Sequence, residues 1–374
     1  MSSKNKRVLI FSISYYPLVG GAEVAVREVT DRITDVEFDM VTLKFDKSHK
    51  SFEKIGNVNV YRIGGFKHLF PFLAFFKAWR LNRERKYTHA WSIMANWAGF
   101  AGLFFKLVNK ETKFILTLQE GDSLSYIKRK VFFVYPIFKK IFTKADKIHA
   151  ISNYLADWAR DMGYKERVEV IPNGVDYKKF ESIEPKIKND GKFILITTSR
   201  LVKKNGVEDI IKAMSLLSRD VSLHILGSGP LDKHLRQRAK SLGVENRVQF
   251  IGFVDQREIP KFLHRADVFI RPSLTEGMGN SFIEAMAAGL PVIATPVGGI
   301  VDFLTDPDKS RDKPPTGLFV PPRDPISIAK AVERLIKNER LRDTLITNGK
   351  RLAREKYDGA LLAKEMRVRV FDVI

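Results

Sequence analysis

Short apolar runs alternate with helix-period segments along the whole chain. RVLIFSI at 7–13 is a nearly continuous apolar run and predicts a buried strand. AEVAVREVTDRI at 22–33 spaces its apolar residues as one face of a helix. Further strands are predicted at 38–43, 58–63, 89–93, 113–118, 147–151 and 167–171. A second series starts with FILITTSR at 193–200 and continues through 221–227, 247–252, 266–273 and 290–297. Helical patterns at 207–217 and 231–242 lie between these strands. Strand-helix alternation of this kind buries both faces of a parallel sheet, so the expected class is α/β. DYKKFESIEPKIKNDGK at 176–192 is polar and weakly periodic and reads as a linker. The expected organisation is two doubly wound domains, 1–180 and 192–351, joined by a linker at 181–191 and followed by a closing segment, 352–374. In such sheets ligands collect at the carboxyl ends of strands, where glycine loops enter helices.

Composition narrows the function. The absence of cysteine excludes disulfides, thiolate metal sites and a cysteine nucleophile, and fits a reducing, cytoplasmic setting. The longest apolar stretch away from the start, LFPFLAFFKAW at 69–79, is interrupted by Pro71 and Lys77. It falls short of the roughly 20 residues a spanning helix needs. A net charge of +21 calls for an anionic partner: nucleic acid, an anionic membrane or a phosphorylated small molecule. No nucleic-acid motif is present and the cations are spread widely, so nucleic acid is not the expected partner.

Three glycine-bearing loops follow predicted strands: SYYPLVGGAE at 14–23, LGSGPLD at 226–232 and EGMGNSFIEAMAAG at 276–289. Gly20 and Gly21 let a helix N-terminus approach an anion closely. In the third loop, Ser281 and Glu284 fit an S-x-x-E capping box, with Gly289 ending the helix. That structural alternative leaves Glu276, Gly277, Gly279 and Asn280 without a role. The functional alternative has a carboxylate gripping a ribose diol while free N–H groups hold phosphate. TTSRLVKKNGVEDII at 197–211 crowds Arg200, Lys203 and Lys204 into a strand-to-helix turn. Such cations suit a diphosphate leaving group, whose growing charge needs stabilising.

The string RPSLTEGMGNSFIEAMAAGLPVIATPVGG resembles the donor-site signature of the retaining glycosyltransferases of family four. GGAE at 20–23, IPNGVD at 171–176, SRLVKKNG at 199–206, LGSGPL at 226–231 and FIGFV at 250–254 occur in that family's order, so the resemblance spans nearly the whole chain. It implies the GT-B fold, two Rossmann-like domains facing an interdomain cleft, with 352–374 crossing back to the first domain. It implies transfer of a sugar from a nucleoside-diphosphate sugar, UDP or GDP, to a glycan or lipid-linked hydroxyl acceptor, with no cofactor and no metal. Glu284 would bind the ribose hydroxyls and Glu276 the transferred sugar. Gly279, Asn280, Ser281 and Phe282 would lie along the diphosphate and sugar, with Gly227 in the same donor-binding set. Arg200 and Lys204 would neutralise the diphosphate. Phe253 and Val254 would pack on the base, and Gly20 and Gly21 would abut the diphosphate from the first domain.

Two positions depart from the family pattern. Gln119 stands in TLQEGD where a histidine is usual, and Asn205 stands where a lysine is usual. Glutamine hydrogen-bonds a sugar hydroxyl but shuttles no proton at neutral pH; Glu120 and Asp122 are its neighbours. Asp306-Pro307-Asp308 spells a D-x-D triplet but has no strand leading into it, and reads as a surface loop. His89, His149, His224 and His264 show no metal-ligand spacing. Two basic-aromatic stretches, 70–86 and 126–147, invite a peripheral contact with an anionic membrane on its inner face; packing of their aromatics on the sheet is the alternative. The rival functions are a nucleotide-sugar 2-epimerase, a nucleic-acid-binding protein and a catalytically silent nucleotide binder.

Overall fold

The computed structural model describes residues 6–182, 191–310 and 312–372. Most of the linker expected at 181–191 lies outside them. The chain divides into two compact units, Met1–Gly174 with Gly359–Ile374, and Val175–Asp358.

The first unit is built on eight strands: β1 (Lys6–Phe11), β2 (Val36–Leu43), β3 (Phe52–Ile55), β4 (Val58–Ile63), β5 (His89–Ile93), β6 (Lys113–Leu118), β7 (Lys147–Ala150) and β8 (Glu169–Val170). Their order is β3-β4-β2-β1-β5-β6-β7-β8. All neighbours run parallel except β3, which pairs antiparallel with β4. The central strands are largely buried on both faces, which is why they read as mainly apolar runs. Edge strand β3 alternates exposed and half-buried residues, and its FEKI carries too little apolar signal to stand out. The C-terminal residues belong to this core: Leu362, Met366, Val370 and Phe371 pack with β1, β2 and β4 side chains. The Phe371 ring lies 5.2 Å from Trp91 and 6.0 Å from Phe38.

The second unit holds six parallel strands: β9 (Phe193–Thr198), β10 (Val221–Leu226), β11 (Val248–Gly252), β12 (Val268–Arg271), β13 (Val292–Ala294) and β14 (Gly317–Phe319). Their order is β11-β10-β9-β12-β13-β14. The three residues of β14 are too few to show a period. Asp306, expected on a surface loop, is buried beside this strand. One of its carboxylate oxygens accepts the Phe319 N–H at 2.5 Å and the other accepts the Asp308 N–H at 2.8 Å. It fastens β14, while Asp308 pairs with Arg334. The short helix Tyr177–Glu181 also belongs to this unit, where the Phe180 carbonyl accepts from His264 at 2.9 Å.

Both units are Rossmann-like α/β sheets, parallel throughout except for the edge strand β3.

Candidate functional site

Each sheet has one point where the strand order reverses, and loops on its two sides diverge there. In the second unit that point lies between β9 and β12. The loop after β9 carries Arg200, Lys203 and Lys204 and is lashed to the segment after β12. Leu274 donates its N–H to the Lys204 carbonyl at 2.6 Å. Gly206 has φ +68°, and a Cβ there would stand 2.1 Å from the Pro272 carbonyl oxygen, so only glycine allows the approach. Asn205 is buried and donates from Nδ2 to the Arg200 carbonyl at 2.6 Å, which makes it a brace of the turn. Arg200 and Lys203 are exposed and Lys204 is half-buried.

Arg271 ends β12 and organises the loop and helix after it. Its guanidinium reaches Glu276 at 2.5 Å, the Ser281 hydroxyl at 2.6 Å and the Thr198 carbonyl at 3.4 Å. It also lies 4.4 Å above the Phe282 ring. Its side chain is 8% exposed, and a charge so enclosed is tolerable only because it is paired and hydrogen-bonded. Glu276 is held further by the Gly277 N–H at 3.2 Å, and its carbonyl accepts the Gly299 N–H at 3.2 Å. Among the described residues nine buried side-chain polar atoms lack a partner, and five of them cluster here: the hydroxyls of Thr197, Thr198, Ser199 and Ser273, and Arg271 Nε. Buried polar groups are normally satisfied, so this concentration marks the ends of β9 and β12 as a place for ligand or ordered solvent.

The helix Asn280–Ala287 begins at Gly279, whose φ of +91° is left-handed. The capping-box alternative is not realised: the N-cap is Gly279, with no side-chain cap. Ser281 lies one residue inside the helix and its hydroxyl accepts from Arg271. Glu284 bonds Gln256. Burial pushes its carboxyl pKa up, against the Gln256 bond and the Arg271 charge, which pull it down. Gly289 ends the helix with φ +80°, as expected. The Phe282 ring is fully buried between Phe269 and Phe303, so at the helix start this residue offers backbone rather than side chain. Gly227 lies against the loop after β9, donating its N–H to the Gly252 carbonyl at 2.7 Å. Phe253 is 71% exposed and Val254 half-buried, on the same loop as Gln256.

The second unit therefore gathers Glu276, Gly279, Ser281, Phe282 and Glu284 with the Arg200–Gly206 loop. Arg271 and Gln256 join them without having been singled out. An arginine closing the otherwise apolar strand VFIR was a legible signal for the first. Gln256 carries no sequence signal.

Gln119, Gly20 and Gly21 belong to the first unit, whose order reverses between β1 and β5. Gly20 caps the helix Gly21–Arg32, and both glycines are exposed. Gln119 is buried after β6 and accepts from Asn173 at 3.5 Å. Glu120 beside it is buried, with one carboxylate oxygen accepting the Ala95 N–H at 2.5 Å and the other without a partner. Burial pushes its pKa up to about 7, opposed by backbone N–H bonds. Adjoining Ala95, Met94 has φ +72°, a strained conformation for a side-chain-bearing residue. His149 is committed to structure, with Nε2–H donating to the Ile171 carbonyl at 2.7 Å and Nδ1 facing the Thr117 hydroxyl at 3.0 Å. Among the described residues no group of three or more His, Asp or Glu is placed to hold a metal.

Residues 178–352 match the family described as Glycosyl transferases group 1, and residues 19–179 match Glycosyltransferase Family 4. A glycosyltransferase of Methanocaldococcus jannaschii, MJ1607, is 27% identical over 399 residues, covering 96% of each chain. A GDP-mannose-dependent phosphatidylinositol monomannoside mannosyltransferase of Corynebacterium glutamicum is 33% identical over 53% of this chain and 54% of its own. Among solved structures, Anabaena HepE in complex with UDP-glucose superposes with TM-score 0.82 at 19% identity, over 98% of this chain and 100% of that one. Sucrose-phosphate synthase from Thermosynechococcus elongatus gives TM-score 0.81 at 21% identity, over 98% and 99%. The chain belongs to the group 1 glycosyltransferases of family four.

Proposed function

We propose that this glycosyltransferase moves a sugar from a nucleoside-diphosphate sugar to a hydroxyl of a glycan or lipid-linked acceptor, with retention of anomeric configuration and without a metal. The observation that carries the reading is the switch point of the second sheet. There, the buried Arg271–Glu276 pair, the orphaned hydroxyls and the Arg200–Lys204 turn share the ends of β9 and β12.

In this reading the Arg200, Lys203 and Lys204 cations, with the N–H groups at the start of Asn280–Ala287, take up the diphosphate charge. A helix end supplies at most ~2 kcal/mol, so the side-chain cations carry the larger share. Glu284, held by Gln256, receives the ribose hydroxyls. Glu276, aimed by Arg271, receives hydroxyls of the transferred sugar. Phe253 and Val254 form the surface for the base.

In the transfer the bond from the anomeric carbon to the phosphate oxygen breaks, and the acceptor oxygen bonds to the same face of that carbon. The acceptor proton passes to the departing phosphate oxygen, leaving a nucleoside diphosphate. No protein base is required, which accommodates Gln119 in place of a histidine. Gln119 then acts by hydrogen-bonding the acceptor side.

The test is product analysis by NMR with an acceptor, with a chelator present. An axial donor linkage giving an axial product supports the reading; an inverted product, or strict dependence on added metal, opposes it. Incubation with donor alone separates transfer from epimerisation, because only an epimerase yields a second nucleotide-sugar.

A further inference from the structure

The most unusual surface lies in the first unit, on residues given no role in sugar transfer. The segment 123–145 contains six Lys or Arg and no Asp or Glu. Those six, Lys128, Arg129, Lys130, Lys139, Lys140 and Lys144, are all exposed. None forms an ion pair among the described residues, whereas Arg7, Arg32, Arg62 and Arg369 of the same unit each meet an acid. Between the cations the chain turns outward. The helix Leu124–Lys130 buries none of its residues, and neither does the next turn, Phe132–Val134. Phe133 is 95% exposed and Phe132 is 70% exposed. In water both lose the burial that normally stabilises such rings.

The helix Tyr135–Thr143 roots this tip through Phe138, Ile141 and Phe142, all buried. Its layer continues sideways. Phe138 meets Phe100 of the helix Trp97–Val108 at 6.1 Å, and Phe104 of that helix meets Phe72 of the helix Phe70–Arg85 at 5.4 Å. Phe72 and Phe76 are 54% and 61% exposed. The alternative in which the aromatics pack inward holds for Phe70, Phe138 and Phe142 but not for Phe72 and Phe76, because Phe70, Ala74, Ala78 and Leu81 occupy the inward stripe of their helix. Residues 64–83 again carry four Lys or Arg and no acid. One helical layer therefore presents exposed aromatic rings among unneutralised cations.

We infer that this layer docks the protein on an anionic lipid bilayer, with Phe132 and Phe133 entering the headgroup–acyl boundary and Lys128, Arg129 and Lys130 facing the lipid phosphates. Charge decides between occupants. A second copy of the chain would set six unpaired cations against six more, a repulsive juxtaposition. An anionic bilayer supplies both the opposite charge and an apolar phase for the rings. The inference is independent of the donor reading, since none of these residues is placed in the sugar-transfer machinery.

Vesicle flotation of the full chain tests it, using phosphatidylcholine alone and phosphatidylcholine with about 30 mol% phosphatidylglycerol, at about 50 mM salt. Binding is expected only to the anionic vesicles and should weaken as salt rises. K128Q/R129Q/K130Q should lower partitioning roughly a hundredfold, as three surface cations imply. F132S/F133S should lower it at least about tenfold while leaving the melting temperature and nucleotide binding unchanged. Absence of binding at low salt, equal binding to neutral vesicles, or wild-type binding by both variants overturns the inference. So does a self-association in size-exclusion light scattering that F132S/F133S abolishes, which would make the occupant a second copy.

Discussion

Arg271 holds the candidate site together. It satisfies Glu276, Ser281 and the Thr198 carbonyl at once and stacks on Phe282, and few side chains other than a planar guanidinium can do this. Arg271→Lys keeps the charge and loses the fork; turnover is expected to fall at least about tenfold, read from initial rates at saturating donor. Glu276→Gln leaves a guanidinium buried without its counter-charge and should cost roughly 3–5 kcal/mol in denaturant titration. Glu120 gives a pH prediction. Its carboxyl titrates at an ordinary 4.5 in the unfolded chain and at about 7 in the fold. Between those values the native state keeps a proton that the unfolded chain has released, so stability falls as pH rises through the window. Glu120→Gln retains an acceptor for the Ala95 N–H and has no proton to lose. At about pH 8 it should exceed the parent by on the order of 3 kcal/mol, and the gain should vanish towards pH 4.5 in urea melts. A gain that does not change with pH would refute this account of Glu120.

At the scale of elements, apolar runs marked the central strands because both faces of a parallel sheet are buried. The same physics explains what stayed hidden. Edge strand β3 and the three-residue β14 have no run to show, and β14 depends on Asp306, whose D-x-D setting looked like a surface loop. Gly289 was legible as the glycine that ends its helix. The capping box was not decidable from spacing, because S-x-x-E fits equally a helix that starts just after Ser281, with Ser281 as its cap, and one that starts just before it. The left-handed Gly279 settles it, and it frees Ser281 for Arg271 and Glu284 for Gln256. Contacts that join separate loops, such as Gln256 to Glu284, leave no trace in local pattern. Gly206→Ala tests the lashing of the two switch-point loops. Its Cβ would meet the Pro272 carbonyl at 2.1 Å in a left-handed conformation, so one loop must move. A loss of nucleotide affinity larger than the drop in melting temperature explains would show that the loop's position matters.

At the scale of the molecule, the chain ends where it began. Residues Gly359–Ile374 belong to the first unit, and Phe371 is buried against β-strand residues from its start. Phe371→Ala should cost roughly 3–5 kcal/mol, seen as a lowered melting temperature. The net charge of +21 has a partial explanation in the unpaired cations of the aromatic layer and in the basic turn Arg200–Lys204. The central claim is that the second unit's switch point binds an activated sugar through acids for its hydroxyls and bases for its phosphates. Calorimetry with UDP, GDP and ADP in the presence of chelator tests it most directly, on the parent protein, Glu284→Gln and Arg200→Ala. The account predicts that one nucleotide binds the parent and that each variant weakens it at least about tenfold, or ~1.4 kcal/mol. Wild-type affinity in both variants, or no binding of any nucleotide, would contradict it.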